Sequence, residues 1–293
     1  MYDFNARYQT YLSEFEGYMG QYLESLQTTP TVLAESMKYS LLNGGKRIRP
    51  TLMLAVADIL DVPKDDVLPF ALALEMVHTY SLIHDDLPAM DNDDFRRGKP
   101  SNHKVYGEAN AILAGDALLN EAYGVCFQAC LRGKSFVVAS KFLADCAGAR
   151  GMIAGQSADL YYTGGNMPTG EGELSYIHEH KTGKLLLAPT VIPSILAHNK
   201  HYLRLAQFGL FWGSLFQITD DVLDVTGEFE SLGQSIGQDA EENKLTYVKI
   251  YGLEGAQAKA DEYAKSCLIA LEGIDADTSF LKDLVGYVRN RKH

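Results

Sequence analysis

The chain has 293 residues, 46% of them hydrophobic, with 38 acidic against 26 basic side chains and a formal charge of −12. That length and apolar content suffice for a sizeable buried core. The acidic excess argues against a nucleic-acid binder, which carries a basic face. The four cysteines, Cys126, Cys130, Cys146 and Cys267, complete no metal-ligand pattern with histidine and read as buried, reduced thiols of a cytoplasmic protein.

In chain order the pattern is helical. Residues 1–16 are polar and acidic, unlike a signal peptide, and no apolar run reaches the roughly 18 residues expected of a membrane span. A helix over 31–43 is entered after Pro30 and stopped by Asn43-Gly44-Gly45, and another covers 49–60. A longer apolar helix begins near Asp65-Asp66, whose charges suit a helix N-terminus, and runs to Asp85-Asp86. Further helices are expected over 108–131, 135–160, 172–198, 202–225, 245–271 and 277–291. Period-two alternation is hard to find, and hairpin dipeptides between β-branched runs are absent. Stretches 163–173 and 226–239 read as loops and not linkers, because apolar helix resumes on each side. The expected architecture is one all-α domain over 1–293 whose central helices are apolar nearly all round.

Two acidic clusters interrupt this pattern. In FQITDDVLDV (216–225), Asp220 and Asp224 are four apart and Asp221 lies three before Asp224, so on a helix the carboxylates share a face about 5–6 Å apart. The flanking residues are apolar, so these acids need a partner. Mg2+ suits them, since it takes oxygen ligands and bridges one or two carboxylates to a substrate's phosphates. The alternative, a hydrated helix end beside Gly227, would have to occur twice, because SLIHDDLPAMDNDDFRRGKPSNH (81–103) repeats the pattern 135 positions earlier (220 minus 85). There Asp91 is six residues beyond Asp85, roughly 240° around a regular helix. Pro88 intervenes and breaks helical hydrogen bonding, and a local break would return Asp91 to the Asp85 face. Spacing alone leaves this open.

Cations for a phosphate recur: Lys46, Arg47 and Arg49 in GGKRIRP (44–50), Arg96 and Arg97, Lys181 beside Thr182 in HEHKTGK (178–184), and Lys244. Singly each reads as a solvated surface residue. Combined with the carboxylates they describe a site for a polyanionic, metal-bridged ligand beside apolar helices.

Seven motifs in order, GGKRIRP, EMVHTYSLIHDDLPAMDNDDFRRG, GEANAILAGDALL, GQSADL, HKTGKL, FQITDDVLD and NKLTY, make the chain resemble the trans-isoprenyl diphosphate synthases, most closely the bacterial farnesyl diphosphate synthases. The resemblance runs from about residue 40 to the C-terminus. It implies an antiparallel helical bundle around a deep apolar cavity, paired as a homodimer, with no nucleic-acid partner and no membrane span. It implies Mg2+ at Asp85, Asp86 and Asp91 and at Asp220, Asp221 and Asp224. Arg96, Lys181 and Lys244 would assist an allylic diphosphate. Lys46, Arg49, His78 and Arg97 would hold isopentenyl diphosphate, and Thr182 and Gln217 would line the region where a carbocation forms.

The departing diphosphate is the base in that family, which fits the lack of an obvious protein base. Tyr80, five before Asp85, takes the place where an aromatic limits the product to fifteen carbons, with Ser81 beside it on the cavity floor. One departure is Gly233-Gln234, where the family usually carries Gly-Lys. The competing readings are a longer-chain synthase, a terpene cyclase, a phosphohydrolase built on His78, His84 and Asp85, and a silent subunit. The cyclase has no use for Lys46, Arg49 and Arg97, and the phosphohydrolase leaves the second cluster idle.

Overall fold

A computed structural model describes residues 2–27, 30–163, 170–227 and 244–291. Its first helix, α1 (Phe4–Ser25), lies in a stretch whose polarity gave no helical signal. Asp3 caps it by accepting from the Ala6 N–H at 2.8 Å, and Tyr11, Phe15, Met19 and Leu23 form a buried stripe at four-residue spacing. Next come α2 (Thr31–Leu41) and α3 (Ile48–Ile59), close to their expected bounds. The central helix, α4 (Lys64–Asp85), is buried almost throughout and packs on α1 to α3.

After α4 a small antiparallel hairpin forms, β1 (Phe95–Arg96) with β2 (Lys99–Pro100). No period-two run announces it, because its turn rests on left-handed Arg97 (φ 55°) and Gly98 (φ 74°) and not on β-branched strands. Then follow α5 (Asn102–Tyr106) and α6 (Glu108–Cys130), which lies along α4.

One long expected helix is broken: the stretch 135–160 is α7 (Lys134–Ala147) and α8 (Met152–Tyr162). The stretch 172–198 is helical without a gap from Glu171 to Leu196, as α9 (Glu171–His178), a π-turn (Glu179–Gly183) and α10 (Lys184–Leu196). The chain continues as α11 (Tyr202–Thr226), α12 (Tyr247–Leu271), kinked at Gly252, and α13 (Ser279–Arg289).

One continuous apolar core runs from α1 to α13. Among the described residues only α4 is long and apolar enough to cross a bilayer, and 78% of its apolar window is buried inside the fold. It is a core helix. All four cysteines are free, but Cys130 is partly exposed where full burial was expected.

Candidate active site

The first cluster sits where α4 stops. Past Asp85 the chain turns back at Pro88, and the Asp91 N–H donates to the Asp85 carbonyl at 2.9 Å. This is the break that returns Asp91 toward Asp85. Asp85 accepts from Gln156 Nε2 on α8 at 2.5 Å. Burial, chiefly, raises its pKa to about 6, with the neighbouring Asp91 and Asp86 adding to the effect and Lys181 and Arg96 opposing it.

Asp86 has a different environment. It is 3% exposed and takes both Nε (2.9 Å) and Nη2 of Arg96, which also reaches Asp93 at 2.9 Å. Both partners of this fork are protein carboxylates, Asp86 and Asp93.

The second cluster lies on the last two turns of α11. Asp221 is buried and serves as a hub: it accepts from Gln217 Nε2 at 2.9 Å and from the Tyr247 backbone N–H at 2.7 Å, where α12 begins. His178 Nε2 is 4.0 Å away, and burial pushes that imidazole down to about 4. Gln217 in turn accepts from Thr182 Oγ1 at 2.7 Å. Asp220 meets the guanidinium of Arg291, just past α13, and Asp224 lies one turn further along the helix.

Two short segments tie the clusters together. In the π-turn, Lys181 faces the first cluster, donating to Asp159 at 2.6 Å within the fields of Asp85 and Asp91, while its neighbour Thr182 bonds to α11. Burial opposes the lysine's charge, yet the three carboxylates hold its pKa above the usual value. On the other side Lys244 lies 3.6 Å from Asp91, and Tyr247, three residues later, is held by Asp221. Three residues span at most about 10 Å, so this one short segment touches both clusters.

A separate basic pocket lies behind the hairpin. Arg97 Nη1 donates to the Gly44 carbonyl at 2.5 Å, and a Cβ on Gly45 (φ +107°) would stand 2.6 Å from the Arg97 guanidinium carbon, so only glycine lets the arginine lie flat there. Around His78 gather Arg49, Arg97, Arg47 and Arg96, and burial together with their charges holds the imidazole neutral. Burial lowers Arg49 to about 10 and Lys46 to about 8, the latter helped by Arg291. Arg49 Nε is buried without a hydrogen-bond partner. Arg47 is committed elsewhere, donating to Glu75 at 2.7 Å. Arg47 and Arg96 are paired with carboxylates, which leaves the charges of partly exposed Arg49 and Arg97 beside a neutral histidine, an arrangement that favours an anion.

Below the rim, Tyr80 is 5% exposed, edge-on to His84 at 5.7 Å, with its hydroxyl buried and unpartnered. Ser81 donates to the His78 carbonyl at 2.8 Å.

The donor set fits Mg2+. Among the described residues no three acidic, histidine or cysteine side chains converge on one point, but Mg2+ needs only one or two carboxylates when phosphates supply the rest. The buried Gln156 Oε1 beside Asp85 has no hydrogen-bond partner, as an acceptor for a metal-bound water would. Gln156 and Asp159 went unnoticed as individuals, since an amide and an acid three apart carry no signal until Asp85 and Lys181 are seen beside them. Gln234 and most of loop 226–239 lie outside the described residues.

Two carboxylate clusters with cations beside them, near a further basic pocket on an all-α fold, suit a synthase that acts on polyanionic substrates. The chain belongs to the polyprenyl synthetase family, whose model matches residues 30–276. It is 43% identical over 261 residues to the farnesyl diphosphate synthase of Micrococcus luteus, covering 88% of this chain and 89% of that one. It is 44% identical over 269 residues to the chloroplastic geranylgeranyl pyrophosphate synthase of Capsicum annuum, covering 89% and 73%. The solved structure of a Helicobacter pylori geranyltransferase complexed with magnesium and isoprenyl diphosphate matches with a TM-score of 0.82 at 33% identity, covering 97% of this chain and 96% of that one.

Proposed function

We propose that this protein is a prenyltransferase that condenses isopentenyl diphosphate head to tail with dimethylallyl or geranyl diphosphate, releasing diphosphate and yielding farnesyl diphosphate. The observation that carries this reading is the pairing of two anion sites. In this reading Lys181 and Lys244, near Asp85 and Asp91, would form one together with Asp220 and Asp224, and Lys46, Arg49, His78 and Arg97 would form the other. A hydrolase or a cyclase needs only the first.

Mg2+ held by Asp85, Asp91, Asp220 and Asp224 would neutralise the diphosphate as it leaves. Asp86 and Asp221 take a supporting role in this scheme, one aligning Arg96 and the other Gln217 and the start of α12. Lys181 and Lys244 orient the allylic diphosphate, while Arg49 and Arg97 grip that of isopentenyl diphosphate. Thr182 and Gln217 turn oxygen dipoles toward the developing carbocation, and apolar α4 keeps water from it. Tyr80 ends the cavity at a fifteen-carbon product. A geranylgeranyl product is the second reading, favoured by the Capsicum relative.

Exposed Ile112, Leu113, Phe127 and Leu131 along α6 and its end suit burial in a homodimer, and the reading places the protein in the cytoplasm. Incubation with Mg2+, labelled isopentenyl diphosphate and allylic primers of increasing length tests it. Mg2+-dependent condensation stopping at fifteen carbons is expected. A twenty-carbon product selects the second reading, and no condensation with any primer refutes both.

A further inference from the structure

Gly155, Gln156 and Asp159 share one face of α8, turned to the π-turn and to the end of α4. Each makes a contact that fixes a site group. A Cβ on Gly155 would lie 2.0 Å from the Lys181 backbone nitrogen, so α8 and the π-turn touch directly there. Gln156 Nε2 donates to Asp85. Asp159, 7% exposed, accepts from Lys181 Nζ at 2.6 Å.

Lys181 lies within the fields of three carboxylates, Asp159, Asp85 and Asp91, and its short contact is with Asp159. A lysine ammonium is a compact charge on a flexible stem. Without Asp159 the remaining anions in reach are Asp85 and Asp91, and an ammonium seated on them would compete with a divalent cation for the same oxygens. We propose that Asp159 is a positioning residue that draws Lys181 off the first aspartate cluster while Gln156 fixes Asp85, keeping Asp85 and Asp91 open to divalent cations. The inference rests on the proposed function for the identity of the ligand, but it concerns how the free protein holds its own charges.

The test is a calorimetric titration with Mg2+ at fixed inorganic diphosphate, with folding checked by thermal denaturation. Asp159→Asn keeps the shape and removes only the charge, and its half-saturating Mg2+ is expected to rise about 10-fold, the size of effect seen when an outer partner of a metal ligand is lost. In a Lys181→Ala background the same substitution is expected to change nothing, because Asp159 acts through the lysine. A merely structural role would weaken binding in both backgrounds. An unchanged titration in folded Asp159→Asn, or an equal rise in the Lys181→Ala background, overturns the proposal. Should Asp159→Asn not fold, Asp159→Glu decides: its longer arm moves the ammonium toward Asp85, and half-saturating Mg2+ equal to the parent's overturns the proposal. Failure of the unsubstituted protein to bind Mg2+ and diphosphate at all refutes the proposed function instead.

Discussion

Arg291 Nη2 lies against Asp220 Oδ1, and the guanidinium stands 5.0 Å over the Phe216 ring. The arginine side chain is 9% exposed and the carboxylate 38%, so the C-terminal segment delivers a nearly buried cation to a carboxylate of the second cluster. Burial lowers the Arg291 pKa to about 10. Its charge also helps depress Lys46, so it lies near that lysine as well as against Asp220.

Removing that cation frees the Asp220 carboxylate. Arg291→Gln is therefore expected to lower the Mg2+ concentration needed for diphosphate binding about fivefold, equivalent to about 1 kcal/mol of released ion pairing. Mg2+ titration of the substituted protein checks this. An unchanged or higher requirement would mean that Asp220 is not a ligand.

Adjacent Arg96 and Arg97 should respond oppositely to substitution. Arg96 neutralises buried Asp86 and pairs with Asp93. Arg96→Ala leaves a buried carboxylate uncompensated and is expected to cost about 3–5 kcal/mol of stability. Arg97 stands near Arg47 and Arg96; burial chiefly lowers its pKa, these two arginines add to the effect, and Glu75 and Asp86 oppose it. Arg97→Gln relieves repulsion, so the melting temperature is expected to hold or rise, while KM for isopentenyl diphosphate rises about 10-fold or more with loss of a charged hydrogen bond. Denaturation and steady-state kinetics with each substrate varied in turn separate the two.

Tyr80 carries a buried hydroxyl without a partner, which costs about 1–3 kcal/mol. Tyr80→Phe is expected to be neutral or stabilising with an unchanged product. Tyr80→Ala opens the floor, lengthens the products and loses about 3–5 kcal/mol as an aromatic removed from a core. Product chromatography and urea unfolding of the pair decide the matter. The same chain length in both would remove Tyr80 as the determinant.

The residues of this site were legible in unequal measure, for physical reasons. Asp220, Asp221 and Asp224 could be placed together because helix geometry alone fixes their spacing. Asp91 could not, since its return to Asp85 depends on how the chain turns at Pro88. Sequence also treats the members of an Asp-Asp pair alike. Burial separates them: Asp86 and Asp221 are 3% and 2% exposed, whereas Asp85 and Asp220 keep partial exposure. The break at 148–151 is brief, with helical pattern resuming on each side. A π-turn such as 179–183 adds no sequence signal because the helix continues through it, and the buried stripe of α1 is thin within a polar stretch.

Asp85 ties stability and activity to pH with opposite signs. Its folded pKa, about 6, lies above the ordinary 3.8, so between these values the metal-free fold binds more protons than the unfolded chain. The acidic form is the favourable one for folding, and this contribution is lost as pH rises through about 6. Asp85→Asn is expected to stabilise the metal-free protein at about pH 8 by about 1–3 kcal/mol, and to make no difference near pH 4. Turnover runs the other way, because a protonated Asp85 cannot hold a cation. At limiting Mg2+, kcat/KM is expected to fall about 10-fold per pH unit below about pH 6, and saturating Mg2+ should move that limb to lower pH. Urea unfolding of the metal-free Asp85→Asn protein beside the parent, together with pH–rate profiles of the parent at two Mg2+ concentrations, measures both effects. An acid limb that does not move with Mg2+ would assign it to a group other than a metal-binding carboxylate.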